Sequence, residues 1–444
     1  MEDNTLQKKM SFWHIWALGV GAVVGDGIFL MAGQGAEVAG PAAVISYLIA
    51  GLLLMAVCMV ICEMSVGMPG AGSLFTWSKR VLGPQWGILA SFGELLMNVI
   101  FLGSVSLAAG NISNYFFVIG SNETVSAVIW AILLLTVIFV IALAGGEITG
   151  RAQLILVIVL VGIMAIFAVG GIVSGHIDLD NYKPFAPFGG KGIWLAIGMG
   201  AYSYMGPLAL VTASGEIKKV TDMPKAMFWA FVTFLILYTA AIAVTFGLQN
   251  YQDYASMASP FTSAAEFVFG RYAGLVINFA AWIAVVTCLV GEIFCASRLL
   301  YGMAEDNTVP KVFGKLNKKG SPYVGLIAAY IVGVLLIFMG IVGAMADAYT
   351  MLANVGTAAG IIGMLVSVTA ALRYKTRFPE EWAAMPWHCP GRGLMFVLAY
   401  AGIAILLYSL FMDVKVLIWT AILMALLVAF YFGYAKPHYE KANK

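Results

Sequence analysis

Two short segments carry the residues best able to do chemistry, Gly25-Asp26-Gly27 and Met205-Gly206-Pro207. Each interrupts an otherwise apolar run near its middle. Glycine lowers helix preference and proline removes a backbone donor, so both runs are read as helices that break. Unpaired backbone at membrane depth is tolerated only where it lines a cavity or is buried in protein, which makes each break a site hypothesis. Free carbonyls at the end of a first half-helix attract ammonium or metal ions, and free N–H groups at the start of a second half attract anions. The carbonyls on offer include those of Val23 and Val24 in the first run and of Tyr202 and Ser203 in the second. Such a site suits a zwitterionic or cationic solute.

These segments need long apolar helices to hold them, and the composition supplies them. The 444 residues are 62% hydrophobic and 10% charged, with mean hydropathy +0.94, where soluble domains carry about a quarter charged residues. Apolar runs long enough to span, roughly 20 residues each, fall near 12–34, 41–63, 86–110, 125–144, 152–174, 192–214, 226–248, 273–300, 323–344, 348–372, 393–412 and 415–434. The fold class is therefore all-α integral membrane with twelve transmembrane helices. Breaks in helices 1 and 6, five helices apart, imply a 5+5 inverted repeat. The organisation reads as a cytoplasmic N-terminus (1–10), a first repeat (11–174), an inverted second repeat (192–372), two C-terminal helices (393–434) and a cytoplasmic C-terminus (435–444).

Of the 24 Lys and Arg, only Lys183, Lys191, Arg271 and Lys415 fall in one set of loops. The other 20 share the opposite side with both termini, so both termini are expected in the cytoplasm of a multi-pass protein of the cell (inner) membrane. The first apolar segment lacks a cleavage pattern and is expected to remain as helix 1. The five cysteines read as packing residues. The longest loops, around 175–191, 249–272 and 301–322, are too short for a catalytic domain, and no P-loop, metal-finger or nucleophile motif accompanies them. An enzyme is not expected, nor is a resident cofactor or metal, nor a nucleic-acid partner.

Several motifs, in order, resemble the amino acid-polyamine-organocation (APC) superfamily of permeases, across residues 10 to about 393. Gly21-Ala-Val-Val-Gly25-Asp26-Gly27-Ile28-Phe29 is similar to that family's G-x-x-x-G-S-G-I-F segment. Glu63 with Pro69-Gly70-Ala71-Gly72-Ser73 resembles its stretch after helix 2, with Phe75 where a Tyr is usual. Tyr202-Ser203-Tyr204-Met205-Gly206, then Glu216 and Pro224, resembles its aromatic helix 6. The most specific match is Ser297-Arg298-Leu-Leu-Tyr301-Gly-Met-Ala-Glu305-Asp306, continuing through Pro310 and Phe313 to Asn317-Lys318 and Pro322. The resemblance implies a LeuT-like fold, alternating access, and a substrate held at Val23, Val24, Gly25, Asp26, Gly27, Tyr202, Ser203, Met205 and Gly206.

The pattern departs from the family at Asp26, which stands where a small hydroxyl residue normally meets a substrate carboxylate. One reading makes Asp26 a ligand for a cation, a proton or a substrate ammonium, since intramembrane acids are costly and usually functional. The other has it pointing away, or protonated and capping the second half-helix. Anchored on Gly83-Pro84 and on Arg298 and Asp306, the resemblance also places Glu94 and Glu292 facing the central site, with packing carboxylates as the alternative. Converging acids would hold a proton when empty and exchange it for a cation, so Asp26, Glu94 and Glu292 are the coupling candidates, with a proton or Na+ as the coupling ion. The lysine that proton-coupled relatives carry on helix 5 aligns with Leu160.

Trp194, Tyr202 and Tyr204 could cover an ammonium by cation–π attraction. Glu63 and Glu216 read as cytoplasmic gate latches, with Arg80, Arg151 and Arg298 as candidate partners, and the remaining basic residues as topology signals. The acids favour a cationic amine, polyamine or basic amino acid as substrate. The alternatives are a neutral amino acid permease, a divalent cation carrier hinted at by Asp26 and Met205-Gly206-Pro207, and a non-transporting receptor or channel. Partners are the solute and the lipid bilayer, with the chain a monomer or homodimer.

Overall fold

A computed structural model describes residues 8–70, 72–254, 257, 259–342 and 345–442, without the side chains of residues 26, 30, 31 and 339–350. Ala71 of the Pro69–Ser73 motif and the side chain of Asp26 therefore lie outside the described residues. The described elements are helical, save an isolated parallel bridge between Met10 and Ile217. In chain order they are α1 (Phe12–Val23), α2 (Asp26–Ala39), α3 (Ala43–Gly67), α4 (Ser73–Leu82), α5 (Pro84–Phe116), α6 (Glu123–Leu143), α7 (Gly146–Val173), α8 (Gly189–Ser203), α9 (Ala209–Thr212) and α10 (Asp222–Leu248). There follow α11 (Tyr251–Tyr254), α12 (Pro260–Phe269), α13 (Arg271–Glu305), α14 (Tyr323–Val342), α15 (Met345–Arg377), α16 (Pro379–Ala383), α17 (Arg392–Phe411), α18 (Val414–Phe430) and α19 (Lys436–Ala442). Among the described residues nine helical stretches are long and apolar enough to cross a membrane, and Phe12–Val23 and Tyr323–Phe338 are shorter apolar helices.

Local chemistry sets several helix ends. Asn122 caps α6 by accepting from the Val125 amide at 3.1 Å, and Asp413 caps α18 by accepting from Lys415 at 2.8 Å, each satisfying an amide that the first turn leaves without a helical partner. Pro84 opens α5, a position where its missing N–H costs nothing.

The long central helices run beyond the predicted spans. α5 covers 33 residues and α13 covers 35, because polar residues past the apolar stretch find partners there. The Ser113 hydroxyl accepts from the Trp282 indole N–H at 3.0 Å, and Asn114 donates to the Glu123 carbonyl at 2.7 Å. The stretch 249–272, read from sequence as a loop, folds instead into α11 and α12. Its Phe261 sets its ring edge-on against Phe29 of α2 and against Phe167 of α7, so apolar contact orders it over the bundle.

Burial follows position in the bundle. α13 touches α1, α5, α6, α7 and α14, and every one of its residues from Ile283 to Ala304 is buried. α18 buries only Val416, Thr420 and Leu427, leaving the rest of its apolar surface outward, as a lipid-facing helix does. α5 and α15 cross with their backbones in near contact: a β-carbon on Gly93 would lie 2.6 Å from the Ala359 carbonyl oxygen, and one on Gly363 2.7 Å from that of Ala90. Small residues at such a crossing let dispersion contacts and backbone approach hold helices together where lipid is as apolar as leucine.

Gly93→Val therefore forces the two backbones apart and is expected to cost about 1–3 kcal/mol. Thermal unfolding in detergent checks this against Gly162→Val, a position with nothing within 4 Å of its β-carbon, which should melt like the parent.

Candidate functional site

Helix α1 ends at Val23, and the chain passes through Val24 and Gly25 in non-helical conformations before α2 begins at Asp26. Helix α8 ends at Ser203; the chain then runs through Tyr204, Met205, Gly206 and Pro207, and α9 begins at Ala209. Gly206 has φ +107°, a conformation that L side chains rarely adopt, and a β-carbon there would lie 2.3 Å from the Ala22 carbonyl oxygen of α1. A β-carbon on Gly27 would lie 2.8 Å from the Ser203 α-carbon and 3.2 Å from the Tyr202 ring. The two non-helical segments are thus neighbours, held together by glycine-width contacts.

The carbonyls at these helix ends have an owner that the sequence did not point to. Tyr238 of α10 donates its hydroxyl to Val23 O at 3.0 Å and to Ser203 O at 3.2 Å. One phenol proton is thus shared between two carbonyls. Val23 O also accepts from the Gly25 amide at 2.9 Å, and Tyr202 O from the Met205 amide at 3.0 Å.

A stripe on α13 connects this region to the acids. Cys288 lies against Gly25, where a β-carbon would sit 3.1 Å from the sulfur. One turn on, Glu292 Oε1 is 3.9 Å from the Cys288 sulfur. Cys295 follows, its sulfur 4.0 Å from Glu94 Oε1 of α5 and within the field of both Glu94 and Glu292. Residues 288, 292 and 295 share one helix face, and the rise along them is about 10 Å. Glu292 therefore stands beside the interruption, and Glu94 stands further along, towards Arg298. Glu94 is fully buried; Asn98 donates to its Oε1 at 3.3 Å, while its Oε2 has no hydrogen-bond partner among the described residues. Among the described residues no three His, Cys, Asp or Glu side chains come together as a metal site.

The amino acid permease profile matches residues 10–434. The chain belongs to this family. It is a permease of the APC superfamily and a transporter of amino acids, not an enzyme. It is 26% identical to the γ-aminobutyric acid permease of Bacillus subtilis over 418 residues, 91% of this chain and 88% of that one. It is 28% identical to the branched-chain amino acid permease BcaP of Lactococcus lactis over 463 residues, 99% of this chain and 97% of that one. It is 24% identical to the lysine-specific permease LysP of the same species, with 87% and 80% covered.

Of the aromatic residues considered for the site, Tyr202 stays next to Gly27, its ring edge-on to Phe101 at 5.7 Å. Tyr204 turns away and packs on Tyr238 and Phe234 at 4.9 and 5.6 Å. Trp194 is 39% exposed and meets Tyr408 of α17, on the outer surface of the bundle rather than beside Gly27. Leu160 is buried on α7 with no charge of its own.

Glu216 and Glu63 differ in how far their partners match those expected from the sequence. Glu216 receives Arg298 Nε at 2.8 Å, with the two side chains 5% and 0% exposed, and the guanidinium lies 3.6 Å over the Phe294 ring. The Glu216 backbone also binds the N-terminal segment, accepting from the Met10 amide at 2.9 Å. Glu63 pairs with neither Arg80 nor Arg151. It accepts from the Trp382 indole at 2.7 Å, the Cys389 amide at 3.0 Å and Arg392 Nε at 3.2 Å. Arg80 bonds Glu381 instead, and Arg151 bonds Glu147 one turn before it, because each finds a nearer acid at the exposed end of the bundle.

Removing one member of a buried ion pair strands the other charge and costs about 3–5 kcal/mol, whereas replacing both with apolar groups is often neutral. Glu216→Ala should accordingly lower the unfolding temperature strongly, and Glu216→Ala combined with Arg298→Met should recover most of the loss. Equal damage from single and double variants would contradict the pairing energetics.

Proposed function

We propose that this permease is a secondary active transporter whose solute is bound where α1 meets α2 and α8 meets α9. On this reading each pair forms one interrupted span in a LeuT-like 5+5 inverted repeat of twelve spans, with both termini cytoplasmic. The observation that carries it is Tyr238, which supplies one proton to the Val23 and Ser203 carbonyls together. Two carbonyls that share one phenol proton in an apolar interior are a receptor for an ammonium group, which brings several N–H donors where the phenol brings one. The backbone amides at the start of α2 then face the carboxylate or other polar end of the solute. Alternating access requires a barrier on each side, and the buried Glu216–Arg298 pair is the proposed gate at one end, with the Glu63–Arg392–Trp382 cluster bracing it.

The substrate class that this arrangement favours is a cationic amine, a polyamine or a basic amino acid. Glu292 stands beside the interruption, and Glu94 presents a buried carboxyl oxygen with no donor among the described residues. Asp26 at the start of α2 adds a third acid. With Leu160 in place of a lysine on α7, these acids are the proposed coupling groups, exchanging a proton or a Na+ against the cationic solute. A neutral amino acid is the competing reading, supported by the likeness to a branched-chain amino acid permease.

A thermal-shift screen of amino acids, polyamines and divalent cations tests the substrate class, since a ligand that binds the folded state stabilises it. Basic amino acids or polyamines are expected to stabilise the protein most. Asp26→Ser should then weaken them roughly tenfold to a hundredfold, the worth of one charge-assisted contact. Stabilisation by neutral amino acids alone, unchanged in Asp26→Ser, would move the assignment to the neutral class.

A further inference from the structure

At the basic end of the bundle nearly every cation near α4 and α15 is occupied. Lys79 bonds Asp306, Arg80 bonds Glu381, Arg392 bonds Glu63, and Lys375 sits 4.6 Å over the Trp382 ring. Arg373 and Arg377 differ. Both are exposed, and among the described residues the side chain of neither takes part in an ion pair, a hydrogen bond or a ring contact. They stand four residues apart on α15, so both point to the same side of the helix.

That side opens into a groove of about 460 Å³ between α15 and the α4–α5 joint. Its α15 wall runs from Arg377 and Arg373 through Thr369 and Val366 to Ile362; its other wall is Leu82, Trp86 and Leu89. The rise from Arg373 to Ile362 is about 16 Å, which matches one leaflet of a hydrocarbon core about 30 Å thick. A second groove of about 420 Å³ shares Trp86 and Leu89 as a wall and is closed on its other side by Leu427 of α18 and by Phe432 just beyond it. Charge at one end, an apolar trough about one leaflet deep, and a shorter apolar groove beside it that shares Trp86 and Leu89 form the negative image of a particular shape: an acidic headgroup with two acyl chains.

We propose that Arg373, Arg377 and the paired grooves astride Trp86 form a binding site for an anionic glycerophospholipid from the leaflet on the basic side. The phosphate lies between the two guanidinium groups, which offer planar, bidentate N–H donors suited to phosphate oxygens. One acyl chain follows α15, and the other follows α18 across Trp86. Because the site spans α4, α5, α15 and α18, an occupied groove ties the peripheral C-terminal helix to the core crossing of α5 and α15. A zwitterionic lipid fills the same troughs but gains less from the arginines, since juxtamembrane cations attract anionic lipid specifically.

The test uses the full chain purified in detergent, stripped of lipid, then titrated with dioleoylphosphatidylglycerol or dioleoylphosphatidylcholine and read by native mass spectrometry and thermal unfolding. The parent is expected to retain phosphatidylglycerol over phosphatidylcholine and to melt higher in its presence. Arg373→Gln with Arg377→Gln should weaken phosphatidylglycerol retention roughly tenfold or more while melting like the parent in phosphatidylcholine, and Arg373→Lys with Arg377→Lys should keep most of it. Val366→Trp, which fills the trough without touching the charges, should lower retention as well. Equal retention of both lipids by the parent, undiminished phosphatidylglycerol on the double-Gln variant, or a lipid-free dimer covering the groove would each overturn the assignment.

Discussion

Backbone that leaves a helix inside a membrane must find partners for its polar groups, and here one hydroxyl is shared between the two interruptions. Tyr238 reaches both Val23 O and Ser203 O, drawing the ends of α1 and α8 to one point on α10. The approach is possible because Gly206 and Gly27 offer no side chain where the two segments touch. Close packing then propagates outward: Gly291 of α13, where a β-carbon would sit 2.5 Å from the Ala22 β-carbon, seats α13 against the same region. That contact sets the Cys288, Glu292, Cys295 face running away from it towards Glu94. The proposed site and its proposed coupling acids thus share one scaffold, and a change in the α1–α8 meeting point moves the helix that carries Glu292.

Charge is handled differently at the end of the bundle. Arg298 is wholly buried and Glu216 nearly so, with an aromatic face beneath the guanidinium. A pair of this kind is costly to desolvate and costlier still to break, which suits a gate with two discrete states. Glu63 takes two donors from the segment joining α15 to α17 and a third from Arg392 at the start of α17, so that segment is pinned to α3. Cys389 in the same segment is pushed up to about 12 by burial and by the neighbouring Glu63 carboxylate. It stays a protonated thiol at neutral pH, and its amide serves the clamp.

Much of this was legible in the sequence where the governing physics is local. The all-α membrane class follows from apolar runs, and the permease family follows from ordered motifs whose spacing survives without any long-range information. Gly25, Gly206 and Pro207 act on their own backbone, so helix ends near them could be read directly. What stayed hidden depends on distant partners. Tyr238 is one tyrosine among 19 in an apolar run without a break, and nothing in its spacing announces two carbonyls 35 and 215 residues away. Arg392 pairs with Glu63 across 329 residues, a match that no helical periodicity encodes, and nearer arginines were the natural but mistaken choice. Trp194 shares its run with Tyr202, yet the seven residues between them turn it to the outer surface. The 249–272 stretch was missed as helix because Pro260 and Gly270 punctuate it, while its order comes from Phe261 packing on Phe29 and Phe167.

The most direct measurement of the central claim is a structure of the protein with the most stabilising solute bound. The account predicts the amino group of that solute within hydrogen-bond distance of the Val23 and Ser203 carbonyls, with Tyr238 released from at least one of them, and its opposite end at the amides that open α2. Solute resolved elsewhere, with Tyr238 still holding both carbonyls, would contradict it.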